Sequence, residues 1–416
     1  MSSAGRFAVK VLLLLGLPLL LLEAETTSRR GLGAKPDGDN EGGDSGQKVF
    51  SIDSYGATAD GDTNNEQAFM KAWVAACKSS SPARLVIPEG TYVTGPVIFE
   101  GPCESEITVD VQGTVKATTD ISDYSEQKWF LFQSITGLTV TGGGTFDGQG
   151  ESAWKYNDCK GNSNCELLPT SLTFMHVKNA EISGITSLNS KSFHLHVTLS
   201  DNIKVHDITV TAPEDSPNTD GLHVSFSSAV DISSSTFGTG DDCVSIGQGT
   251  TQLSVSDVQC GPGHGISIGS LGKYSDEKDV SGIVVSRCTL KGTMYGVRIK
   301  TWEGCDPSKA SDITFEDITM DAVKNPIIID QKYGSHSDEP SQVAISNVRY
   351  RNIKGTSATN VAVTLDCSTA VPCQGLELVD IDLQYEGEKG DSSVSSECQN
   401  AKMSCEGKQN PPVCDN

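Results

Sequence analysis

The chain has 416 residues, and 54 Asp and Glu outnumber 31 Lys and Arg to give a net charge of -23. That excess excludes nucleic acid as a partner, because such binding rests on cationic contacts to phosphate. An acidic polysaccharide remains possible only where a local basic site offsets the overall charge. In chain order, Arg6 and Lys10 precede an apolar run from Val11 to Leu22, followed by small Ala24. This pattern predicts a signal peptide over residues 1–24. The run is short for a membrane span and no second one follows, so the mature chain is expected to be secreted, with no membrane partner. Residues 25–46 are rich in Gly, Asp and Glu and read as a disordered leader. Asp37, Asp39 and Glu41 resemble the start of a calcium loop, but its twelfth position is Lys48 where a bidentate Glu is needed. The 13 cysteines all lie in the mature part; in a secreted chain most are expected to pair, with at least one left over.

Residues 47–416 read as a single domain, larger than usual unless the architecture is a repeat. One helix is predicted, over Glu66–Ser79: Thr63 and Glu66 form a capping box, and Phe69, Trp73, Ala76 and Cys77 share a face. The rest reads as short strands between Gly, Asp and Asn turns. One recurring class, apolar-x-apolar-x-polar-apolar, appears at Ile203–Ile208, Leu253–Val258, Ile283–Cys288, Ile313–Ile318, Val343–Val348 and Leu376–Ile381, with a looser copy from Val230. A second class interleaves with it, through the inward pairs Leu195/Val197, Leu222/Val224, Val244/Ile246, Ile266/Ile268, Val297/Ile299, Ile327/Ile329 and Val363/Leu365. A period of roughly 22 to 36 residues with several strands per repeat marks a solenoid, in which stacking builds one continuous core. The expectation is an all-β parallel β-helix with the helix closing its N-terminal end.

Aligning the second class by its first inward residue places Asp220, Asp242, His264 and Tyr295 in one column. His223, Ser245, Ser267 and Arg298 fall in another, and Ser225, Gly247, Gly269 and Lys300 in a third, with Asp241 beside Asp242 at the turn. Coils stack about 4.8 Å apart, so carboxylates, an imidazole, a guanidinium and an ammonium would share one cleft. Stacked carboxylates raise one another's proton affinity, which costs stability unless the site has a use. Glycoside hydrolysis is such a use: it needs one protonated carboxyl for the leaving oxygen and a second carboxylate as base or nucleophile. Arg298 and Lys300 supply the local positive charge that an anionic sugar requires.

At these residues the chain resembles the polygalacturonases of glycoside hydrolase family 28, through Asn218-Thr219-Asp220, Gly240-Asp241-Asp242-Cys243, Gly263-His264-Gly265 and Arg298-Ile299-Lys300, with Tyr333 in a further matching segment. The resemblance runs from about Val49 to Cys414. It implies a right-handed β-helix of the pectin-lyase-like kind and inverting hydrolysis of α-1,4 bonds in polygalacturonate, the de-esterified form of pectin, with no metal or other cofactor. In that scheme Asp241 is the general acid, Asp220 and Asp242 activate water, and His264 tunes the acid. Arg298, Lys300 and Tyr333 grip galacturonate and Asn218 supports the site. The family also suggests a Cys243–Cys260 bridge; Cys367–Cys373 and Cys398–Cys414 are further expected pairs, with Cys405 as the spare.

Within the family, the stretch Trp154 to Cys165, the run Ser216 to Gly221 and the run Gly407 to Pro412 resemble plant pollen-type enzymes that act from chain ends and release galacturonate. A monomer acting in the cell wall is expected. The alternatives are endo action, another galacturonan as substrate, or a non-catalytic wall-binding or allergen protein on the same scaffold. Plant members often carry a cysteine pair just after the Tyr333 segment, and Gly334 to Gln342 has none. His194 and His196 alternate on a strand without a persuasive third ligand, so they are not read as a metal site. Trp154 and Trp302 could each stack on sugar or simply pack.

Overall fold

The computed structural model describes residues 46–159, 162, 165–334, 337–387 and 393–413. The expected signal peptide, all of the leader except Gly46, and Cys414 lie outside the described residues. From residue 46 onward the chain winds as a β-helix whose coils each contribute strands to parallel ladders. A representative coil runs through Asp201–His206, Thr209–Thr211 and Leu222–Ser225. Each strand pairs in parallel with its counterpart one coil later: Ser228–Ser233, Thr236–Gly238 and Val244–Ile246. Strands of the third kind form an 11-stranded sheet, and the other two kinds together form a 22-stranded one.

Alternation explains which residues enter the coil. Leu195, Leu222, Val244, Ile266, Val297, Ile327 and Val363 stack as one inward column, each no more than 1% exposed, in the register the second sequence class predicts. The first class is a strand plus its corner. Its polar fifth position turns the chain with a left-handed backbone, as at Asp207 (φ 53°), Asp257 (56°) and Asp317 (55°), a conformation for which Asp and Asn pay the least among side-chain-bearing residues. One copy is corrected by the structure. Ile313 pairs with Val348 and Ile318 with Ile353, so the true copy is Val348–Ile353, not Val343–Val348. Asn347 and Asn352 are both left-handed corners, at φ 54° and 49°, and the earlier one has the same apolar spacing before it.

The N-terminal end is closed by the helix Glu66–Cys77, which buries Phe69, Ala72, Trp73 and Ala76 against the first coils. Its N-cap is Asn65, where the sequence predicted a Thr63 capping box. The Thr63 hydroxyl is given instead to Asp60 Oδ2 at 2.6 Å, and the Asn65 amide donates to the carbonyls of Thr58, Thr63 and Val93. Trp73 stacks on Phe99 at 4.4 Å, and Phe132 stacks on Phe174 at 4.9 Å while meeting Phe99 edge-on at 5.4 Å. Truncating Phe132 to Ala is expected to destabilise the protein by about 3–5 kcal/mol, the usual cost of a large aromatic cavity. Chemical denaturation checks this, and a loss below about 1 kcal/mol would contradict a core stacked through these rings.

Cysteine pairing extends beyond the pairs named from the sequence. Cys243–Cys260 and Cys367–Cys373 are bridged, and so are Cys77–Cys103 and Cys159–Cys165. Cys398 is also disulfide-bonded. Cys288 and Cys305 stand outside these bridges as free thiols.

Candidate active site

The site lies along the outer face of the third ladder, where loops enter successive strands. Leu222–Ser225, Val244–Ile246, Ile266–Leu271 and Tyr295–Trp302 follow one another in register. The residues just before them are therefore stacked, which brings Asn218 and Asp220, then Asp241 and Asp242, then His264 to one place. Two glycines allow the loops to close so tightly. A Cβ on Gly240 would lie 2.0 Å from the Ser216 carbonyl, and one on Gly265, at φ 87°, would lie 2.2 Å from the Tyr295 carbonyl.

Each carboxylate has a different partner. Asp241 Oδ1 faces His264 Nδ1 at 3.0 Å and accepts the Asp242 backbone N–H at 2.8 Å; its Oδ2 accepts from Asn218 Nδ2 at 3.4 Å. Asp242 accepts from Ser267 Oγ at 2.6 Å and forms an ion pair with Lys300 Nζ at 2.7 Å. Asp220 Oδ2 accepts from the neutral Ser245 hydroxyl at 2.6 Å. Arg298 is 4% exposed. It donates to Asp330 Oδ2 at 3.0 Å, and its guanidinium lies 3.9 Å from the Tyr295 ring centre and 5.1 Å from that of Tyr333. Lys300 Nζ lies 5.3 Å from the Tyr333 ring centre. The structure thus gathers Asn218, Asp220, Asp241, Asp242, Lys300 and Tyr333 around one cleft, with His264 bonded to Asp241 and Arg298 beside Tyr295 and Tyr333.

The electrostatics divide the carboxylates. Burial, reinforced by Asp241 and Asp242, pushes Asp220 well above the ordinary carboxylate range. Burial also acts to raise Asp241, but the His264 hydrogen bond and Lys300 outweigh it and hold Asp241 low. Burial would lower Lys300; the Asp242 charge reverses this and keeps the ammonium firmly protonated. Between Asp220 and Asp241, Asp220 therefore has the greater proton affinity. Its folded proton affinity exceeds the unfolded one, so Asp220 favours folding at low pH and loses that contribution as pH rises through the folded value. Asp220→Asn removes the penalty. Its melting temperature is expected to exceed that of the wild type near pH 7, with the gap closing toward about pH 4; an equal gap at both would contradict the shift.

Asp241, Asp242 and His264 could in principle chelate a cation, since one ligand atom from each lies within 4.8 Å of the others. Lys300 already neutralises Asp242 at 2.7 Å, so a metal ion would have to compete with a fixed charge. His194 and His196 form no metal cluster among the described residues. His194 Nδ1 is 2.8 Å from Ser187 Oγ, and burial holds its ring neutral by lowering its pKa to about 3. Trp154 packs, donating Nε1 to the Ser190 carbonyl at 3.0 Å, whereas Trp302 lines the cleft. Beyond the sequence assignment, the structure adds Ser245 and Ser267 as carboxylate partners and Asp330 as the partner of Arg298. It also shows Asn157 donating to Asn218 Oδ1 at 3.0 Å. Both serines were in the aligned columns; their register with Arg298 was the available signal. The cleft measures about 470 Å³, and Cys159 and Cys165 are part of its wall.

The model of glycosyl hydrolases family 28 matches residues 77–407. An exopolygalacturonase of Arabidopsis thaliana is 50% identical over 373 residues, covering 88% of each chain. An exopolygalacturonase of Platanus acerifolia is 46% identical over 88% of this chain and 97% of its own. Among solved structures, the endo-xylogalacturonan hydrolase of Aspergillus tubingensis superposes with a TM-score of 0.74 at 25% identity, over 86% of this chain and 98% of that one. With a matching family model over most of its length, and the carboxylate cluster inside that span, the chain belongs to glycosyl hydrolase family 28.

Proposed function

We propose that this protein hydrolyses α-1,4-galacturonosidic bonds of polygalacturonate, with inversion, from the ends of the chain. The observation that carries the reading is the cluster of Asp220, Asp241 and Asp242 with a cation, Lys300, bonded into it and Arg298 alongside. A neutral glycan needs no such cations; a polyanion approaching a protein of charge -23 does. Asp241 delivers a proton to the leaving oxygen. The proton shared with His264 across 3.0 Å is close at hand, and a bound sugar that excludes water from Asp241 raises its affinity for that proton. Asp220 and Asp242 then hold and deprotonate the attacking water. Arg298, Lys300 and Tyr333 hold the sugar carboxylate, and Asn218 steadies Asp241.

A second assignment follows from Asp220, whose carboxyl is pushed well above the ordinary range by burial: Asp220 as acid, with Asp241 as a base. A galacturonide with an activated aryl leaving group separates them, because such a substrate needs little protonation. Under the first assignment it restores turnover to Asp241→Asn and leaves Asp220→Asn slow; the reverse pattern supports the second.

End-directed action is supported by the exopolygalacturonase names of the Arabidopsis thaliana and Platanus acerifolia relatives. It predicts free galacturonate from the first minutes on polygalacturonate while viscosity falls slowly. Mixed oligomers with a rapid viscosity drop would establish endo action instead. Secretion to the cell wall as a monomer completes the reading. It rests on the N-terminal signal pattern; among the described residues no helix is long and apolar enough to cross a membrane. Because Lys300 does the work of a cation, a chelator is expected to leave turnover unchanged.

A further inference from the structure

One wall of the cleft is built without charge. The Phe193 ring stacks on His223 at 4.9 Å and meets His196 edge-on at 6.0 Å, and the two imidazoles lie 5.0 Å apart. All three line the cleft that holds Asp220 and Asp241. In the outward row of the third ladder, His196 is followed by His223, Ser245, Ser267 and Arg298. Histidines and arginine therefore stand at opposite ends of one row, with the serines that hold Asp220 and Asp242 between them.

With Asp220 in its ionised form, as water activation requires, the hydrogen bonds set the ring tautomers. The one hydroxyl proton of Ser245 goes to Asp220 Oδ2 at 2.6 Å. The Ser245 oxygen must then accept from His223 Nδ1, at 2.8 Å. A neutral His223 has a single N–H, so its Nε2 carries a lone pair. Ser225 donates to Thr198 Oγ1 at 3.1 Å and so accepts from His196 Nε2, also at 3.1 Å, which leaves His196 Nδ1 bare. Burial keeps both rings neutral: it is the main cause lowering His223 well below the usual range and His196 to about 4, aided by His196 and Lys300 at the first and by Lys128 at the second. Next to His223, Gly247 has no side chain; a Cβ there would lie 3.2 Å from His223 Nε2, so approach to that nitrogen stays open.

Past His196 the same row continues through Thr173, Leu131 and Ile98. The neighbouring cavity of about 240 Å³ carries Glu66, Asp123 and Glu126. Its cation, Lys128, lies 3.8 Å from Glu126. That floor repels a further uronate, so the wall faces the last sugar of the chain.

We propose that the Phe193–His196–His223 wall is a subsite for the terminal sugar that reads hydroxyls, chiefly through His223 Nε2 as acceptor, and requires no carboxylate on that sugar. The ligand class is a chain whose terminal hexuronate is free or methyl-esterified and whose next residue is a free galacturonate held by Arg298 and Lys300. The inference rests on the end-directed hydrolase reading.

The test uses three trigalacturonates: unesterified, singly methyl-esterified on the terminal sugar at the cleaved end, and singly esterified on the next sugar. The terminal ester is expected to change kcat/KM by no more than about threefold, and the ester on the next sugar to lower it at least about thirtyfold, the scale of losing a charge-assisted contact. His223→Asn keeps a donor near the Nδ1 position and removes the Nε2 acceptor; it is expected to raise KM about tenfold on the first two substrates, with a smaller change in kcat. A terminal-ester loss as large as that at the next sugar, or an unchanged KM in His223→Asn, would overturn the subsite. Should the variant misfold, the wild-type ester series decides alone. Failure of the wild type to cleave even the unesterified trimer would overturn the hydrolase reading itself, and the subsite with it.

Discussion

Asp241→Asn is expected to lower turnover on polygalacturonate by at least about a hundredfold, the usual scale for losing a general acid, with the fold and KM little changed. The geometry gives the reason. Asp241 is bonded to His264 at 3.0 Å, and it also receives the Asp242 backbone N–H. An amide can accept from that N–H and keep the loop in place, yet it has no proton to give. Steady-state kinetics on a purified, thermally intact variant checks this, and near-normal turnover would remove Asp241 from the acid role.

The second large effect concerns the cations. Arg298→Gln is expected to raise KM sharply and to lower kcat/KM by about a hundredfold, since a charged contact is worth about 1.5–3 kcal/mol and a misplaced sugar adds to the loss. Lys300→Gln carries a further cost. It leaves Asp242, whose side chain is 2% exposed, without its ion-pair partner, and it removes the positive charge that helps lower Asp241 and Asp220. The acid limb of the kcat/KM profile should then move to higher pH for Lys300→Gln and stay in place for Arg298→Gln, whose partner is Asp330. On highly methyl-esterified pectin the wild type is expected to be as poor as these variants are on polygalacturonate. Equal wild-type rates on esterified and free polymer would contradict a cationic cleft.

Much of this architecture was legible in the sequence because a β-helix writes its geometry in period two. The inward pairs from Leu195/Val197 to Val363/Leu365 fall in register throughout, and that alone stacked Asp220, Asp242 and His264. What failed was local. Val343–Val348 matches the repeat in spacing although Val348–Ile353 is the true copy, because corners at both ends of a strand use the same left-handed Asn and spacing alone does not tell one corner from the other. The Thr63 box was displaced because Asn65 can bridge three carbonyls that only the folded coil brings together. The Cys77–Cys103 bridge joins a helix end to a loop, across a distance no repeat specifies. At the site, the division of labour among the carboxylates depends on which hydroxyl, imidazole or ammonium each one meets, and those partners come from other coils. Ser245, Ser267 and Lys300 stood in the aligned columns, but only side-chain direction shows that Lys300 crosses to Asp242.

The anomer first released from polygalacturonate tests the account most directly. In the proposed mechanism Asp220 and Asp242 direct water at the α-bond from the side opposite the leaving oxygen, so proton NMR of the wild-type reaction should show β-galacturonate first, with the α-form growing in only as the sugar mutarotates. Initial release of the α-anomer, or an unsaturated product from elimination, would contradict single-displacement hydrolysis by this carboxylate cluster.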